Sequence, residues 1–243
     1  MRTSNKILLT VFIAILAMFT SIYGAVYVKY TNKQFITSAR VHEERYSTYP
    51  LAGVQSVSIS GFDRVTVIAS DTARLELEKQ AGEKPLHVFN NGILTLTGGK
   101  TINNKDGTTT VERNYRDVIL YLPYTQNIKA DNCNLTIKGI IDSTKNLSVQ
   151  LSLEATDVQL GTNEFPNIEG IGNFNAINIL LAKGGNINVA TGANIKKMEA
   201  KLDVANFTDG GATIDSLSLS SDKNSTISIT GKNIPTTTFI SKP

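Results

Sequence analysis

Short stretches that alternate apolar and polar residues recur about once per twenty residues through the second half of the chain. LSVQLSLEATDVQL (147–160) is echoed by IEGIGNFNAINILL (168–181), MEAKLDVANFTD (198–209) and LSLSSDKNSTISIT (217–230). Each copy predicts a strand, a short polar corner and a second strand. Period-two spacing turns one face of every strand indoors. Self-similarity at such a period is the signature of a solenoid, whose units bury their faces only against their neighbours.

The first half alternates as cleanly. VQSVSIS (54–60), DRVTVIAS (63–70) and RLELEK (74–79) read as strands, with Gly61 and the Ser70-Asp71 pair supplying turn chemistry between them. LHVFNNGILTLTG (86–98) carries Asn91-Gly92 between two alternating runs, the strongest hairpin signal in the chain. A polar loop over 99–109 then leads to TVERNYRDVILYLPY (110–124). There Val118, Leu120 and Leu122 point one way while Ile119 and Tyr121 point the other, so this strand is expected to be covered on both faces.

A different pattern opens the chain. Residues 7–28, ILLTVFIAILAMFTSIYGAVYV, carry no charge. At 1.5 Å per residue they are long enough as a helix to cross about 30 Å of hydrocarbon. Arg2 and Lys6 precede the run, and Tyr23, Tyr27 and Tyr30 gather at its far end, as aromatic rings do at a membrane interface. The competing reading is a cleaved signal peptide cut after Gly24. That site lacks Ala-x-Ala, no cysteine offers a lipid attachment point, and the apolar run continues to Val28, so a retained anchor is expected. Lys29, Lys33, Arg40 and Arg45 match or outnumber the charges on the near side. The shortness of the tail nevertheless favours export of the large domain beyond the anchor. The expected organisation is a tail (1–6), a transmembrane anchor (7–28), a polar stalk (29–50) and a β-head (51–243). Within the stalk, a short helix between Phe35 and Tyr46 is the weaker alternative, for want of a sustained apolar stripe.

The order FDRVTVIASDTARLELEK, an NG-centred hairpin ending in LTLTG, VILYLP, NIKADNCNLTIKG and then β-repeats resembles the GIN-domain family of bacterial proteins, also described as autotransporter-adhesin head domains. The likeness covers residue 54 to the C-terminus and rests on strands and glycines, with no catalytic signature. It implies a right-handed parallel β-helix-like solenoid and an envelope location. Asp131, Asn132 and Cys133 depart from the family pattern, in which glycine and small residues are common at this place.

Composition narrows the functions. Among 243 residues, 24 basic side chains are scattered among 21 acidic ones for a net charge of +3, which argues against nucleic acid as a partner. The absence of Trp counts against a sugar-stacking cleft. A single cysteine, Cys133, permits neither an intramolecular disulfide nor a thiolate zinc site, and its place in a strand pattern predicts plain packing. The two histidines, His42 and His87, have no ligand spacing, and the Glu43 and Glu44 beside His42 read as a solvated cluster. Ser220 to Lys223 fits Ser-x-x-Lys, but at a strand end and without partner motifs. GGATIDSL (210–217) is a lone, imperfect copy of a calcium nonapeptide and is expected to be a turn. Glu154, Asp157, Glu169 and Asp203 sit at unequal places in their repeats and should not converge as a glycosidase pair would.

Asn and Gly at 173, 184, 185, 186, 192, 194, 210 and 211 are expected at corners, where left-handed backbone is needed. Residues 182–197 lengthen one repeat and read as an extra rung or a protruding loop. Lys232, Pro235 and Lys242 are the kind of residues that blunt a terminal strand edge. Four N-x-S/T sequons begin at Asn134, Asn146, Asn206 and Asn224 and are expected from composition alone.

The function expected is a membrane-tethered, envelope-exposed binding, adhesion or scaffolding module. It would have no catalytic residue, metal or cofactor, and would be attached to the membrane through residues 7–28. The expected partner is an envelope glycan, an envelope protein or another copy of the chain, with Tyr115, Tyr121 and Tyr124 as candidate contact aromatics. The alternatives are a polysaccharide-active β-helix enzyme, which would need carboxylates converging from neighbouring strands, and a sensor or assembly subunit whose anchor makes specific contacts.

Overall fold

The computed structural model describes residues 3–31, 38–79, 86–103, 109–140, 145–161 and 172–241. The chain divides into two units, Met1–Arg45 and Tyr46–Pro243. The first unit contains α1 (Thr3–Thr31) and α2 (Ser38–Arg45). From Leu9 to Lys29 the mean hydropathy of α1 is 2.1, and the helix is long and apolar enough to cross a membrane. Thr20 and Ser21 donate their hydroxyls back to the carbonyls of Leu16 and Ala17, which satisfies the polar groups of an otherwise apolar surface. The polar segment over 38–45, expected to be stalk, is helical as α2 and carries no apolar stripe.

Among the described residues of the second unit the regular structure is strand, apart from one 3-10 turn at Ile234–Thr236. It opens with β1 (Tyr46–Pro50), β2 (Ser56–Ser60), β3 (Phe62–Ala69) and β4 (Arg74–Glu78). A hairpin comes next, β5 (His87–Asn90) and β6 (Ile93–Thr97). A second, separate hairpin is made by β7 (Lys100–Asn103) and β8 (Thr109–Glu112) within what reads in the sequence as a polar loop. After β9 (Asn114–Leu122) come β10 (Thr125–Asp131), β11 (Asn134–Lys138), β12 (Ser148–Glu154), β13 (Asp157–Leu160), β14 (Asn173–Lys183) and β15 (Asn186–Val189). The remainder is β16 (Asn194–Asp203), β17 (Asn206–Thr208), β18 (Thr213–Ile214), β19 (Leu217–Ser221), β20 (Thr226–Ser228) and β21 (Thr237–Ser241).

Among the described residues these strands form two large mixed sheets. A nine-stranded sheet runs β1-β4-β9-β3-β11-β13-β15-β17-β20. A ten-stranded sheet runs β21-β19-β16-β14-β12-β10-β2-β6-β5, with β18 paired to β16. From β10 onward the chain crosses between the sheets with almost every strand. Each strand then pairs in parallel with the strand about twenty residues later: Ile128 lies beside Leu151, Leu151 beside Ile179, Ala200 beside Leu219. Among the described residues antiparallel strand pairs occur only toward the N-terminal end: β1 with β4, β4 with β9, β5 with β6 and, outside the two sheets, β7 with β8.

Alternation places the core. Val65, Val67, Leu135, Ile137, Val158, Leu160 and Ile187 from one sheet, and Val57, Ile59, Ile128, Leu151, Ile179 and Leu219 from the other, are all buried in one apolar cluster. Each fully buried Leu or Ile contributes about 1.5–3 kcal/mol. One corner between the sheets stacks left-handed residues: Gly61, Asn132, Ala155, Gly184 and Val204 all have positive φ. The first four tie together by backbone bonds, Gly61 N to Asp131 O (3.0 Å), Asn132 N to Glu154 O (2.9 Å), Ala155 N to Lys183 O (2.9 Å) and Gly184 N to Asp203 O (3.0 Å). Gly185 follows Gly184 along the chain with φ of 78°, and a Cβ there would collide with the carbonyl of Thr156.

Two expectations shift. The strand unit begins at Tyr46, five residues inside the expected stalk, because β1 pairs with β4 and the Tyr46 hydroxyl donates to Asp117 Oδ2 at 3.2 Å. Residues 182–197 hold the end of β14, β15 and the start of β16 joined by an ordinary turn, with Ala193 N bonded to Ala190 O at 3.0 Å. The irregularity lies earlier, where the register of β14 shifts between Ile179 and Ala182 and leaves Leu180 exposed.

Candidate functional site

The outward side chains of the nine-stranded sheet fall into rows because the register between its parallel strands runs from β3 to β20 without a shift. β11, β13, β15 and β17 each start with Asn or Asp, and most of these side chains bond to a neighbouring strand. Asn134 Nδ2 donates to Asp63 Oδ1 (2.8 Å), Asn186 Nδ2 to Asp157 Oδ1 (2.6 Å) and Asn206 Nδ2 to Asn186 Oδ1 (2.9 Å). Arg113 clamps this row from the side, donating to Asn132 Oδ1 (3.0 Å) and Asn134 Oδ1 (2.7 Å). These amides are consumed in holding the corner.

Two residues further along each strand lies a second row: Thr66, Thr136, Gln159, Asn188, Thr208 and Ser228 are successive register partners. All six are at least partly exposed and uncharged. Among the described residues their side chains have no hydrogen-bond or ion-pair partner in the protein. The residues on either side of the first five row members, such as Val65 and Val67 around Thr66 or Ile187 and Val189 around Asn188, are buried and hold them in place, and Ile227 and Ile229 around Ser228 are partly buried against the core. The charged residues of this face include Arg74 on β4, Asp117 on β9, Arg64 on β3 and Lys138 on β11, toward one end, and Asp157 at the start of β13.

The ten-stranded sheet presents a different outer face. Lys129, Glu154, Lys183, Lys197, Glu199 and Lys201 project from it. Lys183 Nζ lies 3.6 Å from Glu154 and Lys197 Nζ 2.7 Å from Glu199. Its register shifts twice, between Leu151 and Ser152 and between Ile179 and Ala182. Where β14, β16 and β18 begin, a cleft of about 200 Å³ is lined by Asn146, Asn173, Asn175, Asn194, Lys196 and Asp215. Asn194 Nδ2 donates to Asn173 Oδ1 at 3.2 Å across it. Beside it, Lys145 donates to Asp71 Oδ2 (2.9 Å) and to the Tyr124 hydroxyl (2.7 Å), and these bonds raise its pKa.

The chemically suggestive residues of the sequence are dispersed. His42 lies on α2. His87 lies on β5, its ring centroid 4.1 Å from that of Tyr49, and burial lowers its pKa. Cys133 is buried, its thiol donating to Asp131 O at 3.1 Å, and desolvation pushes its pKa up, away from nucleophilic use. Ser220 and Ser221 end β19, before Lys223. Asp222 accepts from Val204 N (3.1 Å), Asn224 N (3.1 Å) and Ser225 Oγ. Gly210 and Gly211 form a left-handed turn as expected. Glu154 pairs with Lys183 and Asp157 with Asn186, while Glu169 lies outside the described residues, as does Lys242. No cluster of three His, Cys, Asp or Glu that could hold a metal occurs among the described residues. Of the tyrosines, Tyr115 is exposed, Tyr121 lies beneath the Arg74 guanidinium (3.5 Å to the ring centroid) and Tyr124 accepts from Lys145.

The uncharged row is the feature that motif reading passes over. Its signal is present as apolar-polar-apolar triplets, VTV (65–67), LTI (135–137), VQL (158–160) and INV (187–189), whose middle residue is Thr, Gln or Asn each time. No protein family, curated protein or solved structure was found to match this chain.

Proposed function

We infer that the protein is a membrane-tethered binding and scaffolding module, held by α1 and displaying its β-unit on the envelope side, with no catalysis of its own. In this reading the two mixed sheets are opposite walls of a right-handed parallel β-helix-like stack. Kinship with the GIN-domain family belongs to the same proposal, and the strand-and-glycine pattern supports it. The observation that carries the function is the register-matched row from Thr66 to Ser228, whose side chains are held by buried or partly buried neighbours and are not used by the protein itself. Such a row is preorganised, so a ligand binding to it bears little ordering cost.

The test is made on the full chain in its native membrane, with a photocrosslinking residue at Asn188. Added protease is expected to remove the β-unit from outside the sealed membrane, and irradiation to join Asn188 to an envelope component. A β-unit that stays protected until the membrane is lysed, or an Asn188 probe that captures nothing, overturns the reading.

A further inference from the structure

We propose that the row Thr66, Thr136, Gln159, Asn188, Thr208 and Ser228 is the contact line for a linear, uncharged polysaccharide running across the parallel strands. The proposal rests on the display reading above and names its ligand class.

Three observations lead to it. The row repeats at the strand spacing of about 4.8 Å, so a bound polymer meets the same chemistry at each step. With no register shift from β3 to β20, the repeat is not interrupted along six strands. Hydroxyl and amide side chains both donate and accept, which is what the hydroxyls of a sugar require.

Charge decides between polymers. The row itself carries none, whereas the opposite face carries Lys129, Lys183, Lys197 and Lys201. On the row's own face cations flank it only at β3 and β11, as Arg64 and Lys138, so an anionic chain would lack counter-ions along β13, β15, β17 and β20. A protein partner is disfavoured too, since protein interfaces centre on buried aromatic or apolar anchors and the row offers no apolar side chain.

Each hydrogen bond exchanged with water yields little on its own. Affinity must therefore accumulate over the repeats, and it should rise with oligosaccharide length until the six strands are spanned.

The full chain in detergent micelles is tested by co-sedimentation with insoluble cellulose and chitin, with polygalacturonate as the anionic comparison, and by titration with cello- and chito-oligosaccharides of two to eight sugars. Retention on at least one neutral polymer is expected, insensitive to salt, with affinity increasing at least tenfold from disaccharide to hexasaccharide. Asn188→Lys and Thr208→Lys should each reduce retention at least fivefold, while Ser218→Lys, on the ten-stranded sheet, should leave it unchanged. Unaltered circular dichroism melts exclude misfolding as the cause. Retention on neither neutral polymer, equal binding of polygalacturonate, or undiminished binding by the two row variants overturns the proposal. If Asn188 crosslinks to an envelope protein while neither neutral polymer is retained, the polysaccharide assignment fails and the display reading stands.

Discussion

Val204 shows how far the corner column constrains single residues. It is β-branched, exposed and left-handed at φ of 54°, a conformation its side chain disfavours. The bond from its N–H to Asp222 Oδ1 and its place after Gly184 in the column hold it there. Asn, which tolerates this region, already occupies the equivalent corner at Asn132. Val204→Asn is therefore expected to stabilise the protein by about 1 kcal/mol, read as a higher urea midpoint at unchanged slope. A lower midpoint would mean that the valine side chain contributes packing that outweighs the strain. The corner glycines were readable from composition, since Gly184, Gly185, Gly210 and Gly211 all have positive φ. That Ala155 and Val204 share this conformation was not, because neighbours in the stack impose it against local preference.

At the scale of the element, the C-terminal turns depend on one buried carboxylate. Burial alone would raise the pKa of Asp209, but hydrogen bonds outweigh it. Asn233 Nδ2 (2.7 Å), Thr230 N (2.9 Å), the Thr230 hydroxyl (2.8 Å) and Gly211 N (3.2 Å) hold the carboxyl below its ordinary range. Asn233 in turn donates to Ala212 O and accepts from Ile214 N, so one pair fastens the segment before β21 to the turn before β18. A depressed carboxylate pKa stabilises the fold fully above about pH 4 and is lost as the pH falls through the lowered folded-state value. Asp209→Asn should cost about 1–3 kcal/mol at neutral pH. Urea midpoints followed down to about pH 2 should show the gap to the parent closing. A gap independent of pH would show that the cost comes from geometry and not from ionisation.

Elements with local signals were the most legible. Asn91 and Gly92, both at positive φ, turn β5 into β6 as the dipeptide requires. By contrast β1, and the hairpin of β7 and β8, escaped detection. Their strands are short and polar, and what fixes β1 is pairing with a segment far along the chain.

Across the whole β-unit, cohesion is passed from each strand to its parallel neighbours, while the two ends differ. Antiparallel β1, β4 and β5 flank one end. At the other, β20 and β21 are edges, and Phe239 and Ile240 are 61% and 54% exposed. Hydrogen exchange measured by mass spectrometry should accordingly find the slowest amides in β12 and β14, and opening that begins at β20 and β21. Protection that is uniform through the unit, or least in its middle, would contradict a stability carried by neighbours. The candidate face was legible only in part. Polar-outward alternation is visible in the four triplets, but the alignment of the six row residues into one line depends on register, which no single segment specifies.

That register has a further consequence for how such a molecule can change. The segment from Asn186 to Ala205 lies between predecessors and successors of its own kind: β15 pairs without a shift on both flanks and β16 without one toward β19, while a single bulge interrupts its pairing with β14. A tandem duplication there would meet the neighbours it already knows and lengthen the ruler by one mark without redrawing the others. Reach is thus a property that this architecture can adjust by copying, with the antiparallel end left as it is.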